Sequence, residues 1–309
     1  MRLHELVQLR AELEQALDKE SVNFAVDANY KKLSDVANLA DDKYLQIIKS
    51  IASNHRHIKE VVTQNSIEIL SAITEIDGDI QKLTAKFFTA NYQMECRFAD
   101  AATVKQYRQL PLPEGAFDVL ISRIRLYTSW KYPCLEIGCR DGSWTRHLVS
   151  CDPLYISDEY DEFINDTNNI FPKEYQARLR KYLIKDFKIA NLPKNQFGFI
   201  FSFNYFNYLS LDTIKQFLLQ ANEWLRPGGV VMFTYNNADL SASAGMSESY
   251  FMTYVPKRML IPLVESLGFE IISSTDILPS TSWIEFKKPG TLSTVKAHQT
   301  MGEIKFKDI

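Results

Sequence analysis

Apolar residues fall into two different patterns along this 309-residue chain. In the first part they recur every three or four positions. Ile69, Ile73, Ile76, Ile80, Leu83 and Phe87 alternate spacings of four and three, and Val62 extends the stripe backwards across Ser66. That period is the seam of a heptad repeat. It predicts one helix from about Asp41 to Phe88, roughly 70 Å long at about 1.5 Å per residue. A shorter stripe, Leu6, Leu13, Leu17 and Phe24, is interrupted by Arg10 and Glu20. Asn23, Asn29, Ser34 and Asn38 mark a break between the two. So narrow a stripe cannot bury itself on a lone helix. Residues 41–88 are therefore expected to form a coiled coil with further copies or to dock onto another protein. Packing against the second half of the chain is the alternative.

From Phe117 onwards the pattern alternates. Phe117, Leu120, Ile121, Ile124 and Tyr127 make one amphipathic helix face. Apolar runs predict strands at 134–138, 154–157, 183–184, 197–203, 230–234, 269–275 and 282–287. Helices are predicted at 143–150, in a charged stretch reaching about Tyr182, at 211–225 and at 257–267, the last ended by Gly268. Strands and helices in alternation build an α/β fold with a doubly wound, mostly parallel seven-stranded sheet. The final two strands have no helix between them, so the last strand is expected to run antiparallel. An all-α coiled-coil region precedes this domain.

Punctuation places the boundary. The first 110 residues hold no proline and one glycine, Gly78, whereas all 11 prolines and every other glycine come later. The expected division is a helical assembly region at 1–110, an α/β domain at 111–290 and a tail at 291–309. A net charge of −3 gives no global attraction to nucleic acid or to a membrane surface. Apolar residues at 46% exclude global disorder. Cys96, Cys134, Cys139 and Cys151 show neither CxxC pairs nor a small secreted disulfide framework, which points to reduced thiols in the cytoplasm. No apolar run reaches the ~20 residues of a membrane span. No His/Cys cluster has metal-ligand spacing.

The chemistry concentrates at Leu135-Glu136-Ile137-Gly138-Cys139-Arg140-Asp141-Gly142, where an apolar run ends in an acid and a glycine turn. A strand feeding such a turn at a helix N-terminus presents bare backbone amides to a ligand. The glycines do not fit G-x-G-x-x-G, which would need them at 140 and 143. Glu136, Gly138 and Gly142 instead stand where class I S-adenosylmethionine-dependent methyltransferases keep an acid–x–Gly–x–Gly–x–Gly turn. Leu225-Arg226-Pro227-Gly228-Gly229 is similar to that family's turn before its fifth strand, and Asn191-Leu192-Pro193 to its "NLP" turn.

The resemblance covers roughly 116–290 and implies S-adenosylmethionine as cofactor. By that resemblance Glu136 and the backbone at Gly138 and Gly142 hold the methionine part. Asp158 accepts from the ribose hydroxyls, with Asp161 as the fallback, and Asp186 and Phe187 contact the adenine. Two positions depart from the family: Arg140 replaces the middle glycine, and Gly198 stands where an Asp is usual. Arg140 has three readings. It points outward, it binds the cofactor carboxylate, or it fills the pocket.

Asn204, Tyr205, Tyr235 and Asn236 are candidate pocket residues for an acceptor, and no catalytic base is nameable. Asn204-Tyr205-Phe206 lacks the Pro-Pro pair of amino-directed DNA methyltransferases, which disfavours a nucleobase acceptor. The expected function is methyl transfer to a small-molecule or protein acceptor. The alternative is a non-catalytic structural or adaptor component of a larger assembly, such as a virus particle.

Overall fold

The two apolar periods produce two kinds of structure. The computed structural model describes residues 2–24, 42–90, 112–249 and 251–292. Contacts divide the chain into two units, Met1–Thr89 and Ala90–Ile309.

The first unit pairs α1 (Leu3–Phe24) with α2 (Asp42–Ala90). Arg10 Nε donates to Asp77 Oδ1 at 2.7 Å, which sets the two helices side by side. Leu6 and Val7 on α1, and Ile76 and Ile80 on α2, are buried. Part of the heptad stripe is thus covered within the chain. Val62, Ile69 and Ile73 are half-buried, and Val61, Ile67 and Leu70 are exposed. Asn23 belongs to α1 and does not mark the break. Asn29, Ser34 and Asn38 lie outside the described residues, as do Cys96, the 110/111 boundary, the tail beyond Leu292 and the side chains of Leu83 and Phe87.

The second unit opens with α3 (Glu114–Tyr127), whose Leu120, Ile121 and Ile124 are buried as the stripe predicts. The sheet follows: β1 (Cys134–Ile137), β2 (Leu154–Asp158), β3 (Leu179–Lys185), β4 (Lys188–Ile189), β5 (Phe197–Ser202), β6 (Leu225–Tyr235), β7 (Glu270–Leu278) and β8 (Thr281–Lys287). Its order is β4-β3-β2-β1-β5-β6-β8-β7. Strands β3, β2, β1, β5 and β6 run parallel, and β8 is antiparallel to both neighbours. The seven expected strands are joined by an eighth, the two-residue β4, which folds back on β3. The connecting helices are α4 (Asp161–Asn169), α5 (Lys173–Gln176), α6 (Leu211–Trp224), α7 (Ser241–Glu248) and α8 (Lys257–Ser266). Ser210 caps α6 by accepting from the Thr213 amide, and Gly268 ends α8 at φ +83°.

Two expectations need correction. The helix predicted at 143–150 is only a 3₁₀ turn, Thr145–His147. Its side chains are committed elsewhere: Asp141 Oδ1 accepts from the Ser143 amide, and the Thr145 hydroxyl reaches Glu136. The charged stretch to Tyr182 is helical only up to Gln176, and β3 starts at Leu179. Arg180 and Lys181 are exposed on β3, so a strand near the sheet edge carried charges that resemble a helix surface. Helix α7 was not anticipated.

Close backbone approach explains two glycines. A Cβ at Gly228 would lie 2.4 Å from the Leu292 amide nitrogen, so Pro227-Gly228-Gly229 is the floor over which residues 291–292 pass. A Cβ at Gly198 would lie 2.6 Å from that of Tyr132, whose ring also carries the Arg226 guanidinium at 5.1 Å. The departure at Gly198 therefore has a packing reason. Arg123 on α3 forks onto the fully buried Glu285 of β8, with Nε 2.8 Å from Oε1, and the Tyr127 hydroxyl donates to the same carboxylate at 2.5 Å. That cluster ties α3 to the sheet.

Candidate functional site

In this sheet β1 lies between β2 and β5, and the chain leaves β1 in one direction and returns on the other side. The crevice beyond the C-terminal ends of β1 and β5 is thus the switch point, where ligands bind in open α/β sheets. Gly138 to Gly142 close one side of it, and Asn204 and Tyr205 close the other.

The turn is tied to β2. The amides of Gly138 and Cys139 donate to the Ser157 carbonyl at 2.8 and 3.1 Å, and the Ser157 hydroxyl donates to the Glu136 carbonyl at 2.8 Å. Thr167 of α4 donates to the Arg140 carbonyl at 3.2 Å. Gly138 and Gly142 have φ of +79° and +76°, and Arg140 between them has φ +48°. An arginine therefore adopts the left-handed conformation that costs glycine nothing. A Cβ on Gly142 would lie 3.2 Å from the Thr167 Cα and would push aside the movable Ile170 Cδ1 at 2.6 Å, which adds to the left-handed φ in favouring glycine.

Glu136 points inward. Its Oε2 accepts from the Thr145 hydroxyl at 2.5 Å, and the residue is buried. Burial lifts its pKa to about 8, against the lowering by Thr145, with the carboxylates of Asp141 and Asp158 adding to the rise. Asp158, fully buried at the end of β2, accepts from the Arg140 amide at 3.0 Å and the Glu159 amide at 2.8 Å.

Arg140 does not swing outward. Its guanidinium lies 3.4 Å from both Asp141 and Ser143 Oγ, and it lines a small cleft with Gly138, Trp144, Phe203 and Asn204. The cleft admits only about 10 Å³, roughly one water molecule. Tyr205 takes the remaining space. A Cβ on Gly138 would lie 2.7 Å from Tyr205 Cβ, and the Tyr205 hydroxyl donates to Glu159 Oε1 at 2.9 Å.

The other candidates do not line this cleft. Asp186 and Phe187 are the central residues of the two-residue turn between β3 and β4, with φ of +49° and +58°. Asp186 is exposed, and Phe187 packs on the core beneath a hydrogen bond from Gln220 to its carbonyl. Asp161 opens α4. Tyr235 is a core residue whose hydroxyl is 3.3 Å from Ser274 Oγ. Asn236 is buried, donating to the Ser243 and Thr253 carbonyls and to Ser247 Oγ, and so anchors α7. His147 is half-buried between Phe117 and Trp144, and burial lowers its pKa to about 4. Among the described residues no group of three or more His, Cys, Asp or Glu could hold a metal ion.

Sequence reasoning missed Thr145, Glu159, Trp144 and Phe203. Glu159 stood in the acid run after β2, and its role depends on Tyr205, 46 residues away. Trp144 and Phe203, both lining the cleft, have ring centroids 4.3 Å apart and planes tilted by 32°.

The profile of a family described as methyltransferase domain matches residues 84–274, more than half of the chain. No curated protein matches the sequence. Among solved structures, an S-adenosylmethionine-dependent methyltransferase from Aquifex aeolicus is 16% identical, covering 62% of this chain and 98% of its own, with a TM-score of 0.47. One from Clostridium acetobutylicum is 13% identical over 62% and 98%, with a TM-score of 0.48. One from Mesorhizobium loti is 12% identical over 54% and 96%, with a TM-score of 0.43.

S-adenosylmethionine is the cofactor expected of such a domain. The frame here fits it in donor chemistry. Two glycines and Arg140 hold the turn in left-handed geometry, Asp158 stands at the end of β2, and Arg140 is among the residues lining the cleft. The volume above Gly138 belongs to Tyr205.

Proposed function

The chain belongs to the methyltransferase-domain family, and from that premise we propose that it binds S-adenosylmethionine at the Gly138–Gly142 turn and methylates a non-nucleobase acceptor. The left-handed turn at the switch point beside β5, pinned to Asp158 and Ser157, carries this reading. Glu136, Gly138, Arg140 and Gly142 would hold the methionine part, with Arg140 offering its guanidinium to the carboxylate. Asp158 would serve the ribose, and Asp186 with Phe187 would contact the adenine.

The cofactor supplies an activated methyl group on a sulfonium. The protein's part is then to align the acceptor and exclude water. Trp144 and Phe203 give that side of the cleft an apolar wall. The acceptor is a small molecule or a protein group. The three described cysteines are free and buried, which suits a reducing cytoplasm. No helix among the described residues is long and apolar enough to cross a membrane.

Calorimetric titration with S-adenosylhomocysteine tests the reading. Micromolar binding that is lost in Asp158→Ala is the expected result. No binding by any form of the protein at millimolar ligand would overturn it.

A second reading is favoured by Tyr205 on Gly138: a non-catalytic structural or adaptor component that keeps the fold as a scaffold. In either case α2 serves assembly, through a homo-oligomer or a protein partner along residues 41–88. The exposed Val61, Ile67 and Leu70 beside the half-buried Ile69 and Ile73 support that role. Ile69→Asp with Ile73→Asp spares the buried Ile76 and Ile80 and should lower the mass found by light scattering. An unchanged mass would rule out self-association through this face.

A further inference from the structure

We propose that Tyr205 is a latch that occupies the cofactor seat and must leave it for an adenosyl ligand to enter; this rests on the cofactor reading above.

Local backbone geometry aims the side chain. Asn204, two residues beyond β5, lies in the left-handed region at φ +51°, and its amide donates to Thr234 Oγ1 at 2.6 Å. Asparagine tolerates that conformation better than most residues. The bend turns Tyr205 back towards β1 at the start of the 3₁₀ turn Phe206–Tyr208. Its Cβ and ring lie 2.7 to 2.8 Å from the position of a Gly138 Cβ, and its hydroxyl reaches Glu159 at 2.9 Å. The side chain therefore runs from the glycine turn to the residue following Asp158. Those two points bracket the seat proposed for the methionine and ribose parts of the cofactor.

The far end of this contact is releasable. Glu159 is a half-buried side chain at the end of the sheet, whereas the Tyr205 ring is buried in the larger apolar cluster, so opening the latch takes the ring out of that packing. The ring has edge contacts with Phe206 and Phe217 at 5.7 and 6.1 Å on the other side. The latch makes the binding-competent state a minor one, and apparent affinity falls by its fractional population.

The test is calorimetry with S-adenosylhomocysteine on wild type, Tyr205→Phe, Tyr205→Ala and Glu159→Ala, with thermal unfolding of each ligand-free protein. Tyr205→Phe keeps the ring and removes only the hydroxyl, so it carries the test if Tyr205→Ala does not fold. A hydrogen bond to a carboxylate corresponds to on the order of a tenfold change in affinity. The expected result is binding about tenfold tighter in Tyr205→Phe and in Glu159→Ala, with a lower unfolding temperature in both. A residue that merely supports the fold would not raise affinity when removed. If wild type binds and these variants bind equally or more weakly, the latch is overturned and the cofactor reading stands. If no variant binds at millimolar ligand, both are overturned.

Discussion

The backbone amide of Arg140 donates to Asp158 Oδ2 at 3.0 Å, so the acid at the end of β2 holds the glycine turn at the end of β1. The amide of Glu159 takes the other oxygen at 2.8 Å. One buried carboxylate thus orders both sides of the crevice. Asp158→Asn replaces an acceptor by a donor facing a donor. The expected cost is about 1 to 3 kcal/mol of unfolding free energy. An unchanged denaturant midpoint would show that the pair is incidental.

Arg140 occupies a conformation made for glycine, at φ +48°. Comparing Arg140→Gly with Arg140→Ala isolates the backbone contribution, because both remove the guanidinium. The glycine variant is expected to be the more stable by about 1 kcal/mol. The reverse order in urea unfolding would contradict the strain argument.

Gly138 faces Tyr205 with no room for a methyl group, since the added Cβ would lie 2.7 Å from Tyr205 Cβ. Gly138→Ala should destabilise the domain by about 2 kcal/mol or more, through overpacking and the φ of +79°. Adding Tyr205→Gly removes the collision, Cβ and ring together, but leaves the φ penalty. The double variant should therefore show partial, non-additive rescue in thermal unfolding. Strict additivity would mean that the two residues do not meet.

Glu136 makes stability depend on pH in a specified direction. Its folded pKa is raised to about 8, chiefly by burial. Between the ordinary carboxylate range and that value the folded protein holds a proton that the unfolded chain has lost. Its contribution is complete below about pH 4.5 and is lost as pH rises through 8. Glu136→Gln stays neutral and can still accept from Thr145, so stability should fall less steeply between pH 5 and 8. Parallel stability–pH curves for variant and wild type would remove Glu136 as the cause.

Much of the architecture was legible because burial imprints a local period on the sequence. Cys134–Ile137 and Phe197–Ser202 are buried at every position; the second reads as an apolar run up to Ser202, and the first as one broken only by Glu136. The helix at 143–150 was misread because Thr145 belongs to Glu136 rather than to its own helix. Eight-residue helical composition says nothing about a competing partner across a turn.

The sequence by itself determined the strand–helix alternation, the glycine turn after β1 and the Pro-Gly-Gly turn before the body of β6, since each depends on residues adjacent in the chain. Only the tertiary structure decided what each polar side chain meets. Strand order places the end of β5 against the end of β1, and that adjacency puts Tyr205 on Gly138 and its hydroxyl on Glu159. The same adjacency between β1 and β2 turns Asp158 towards the amide of Arg140. A local pattern specifies which face of a strand is buried. It carries no information about which neighbour the sheet will bring to that face, and the contents of this site depend on the neighbours.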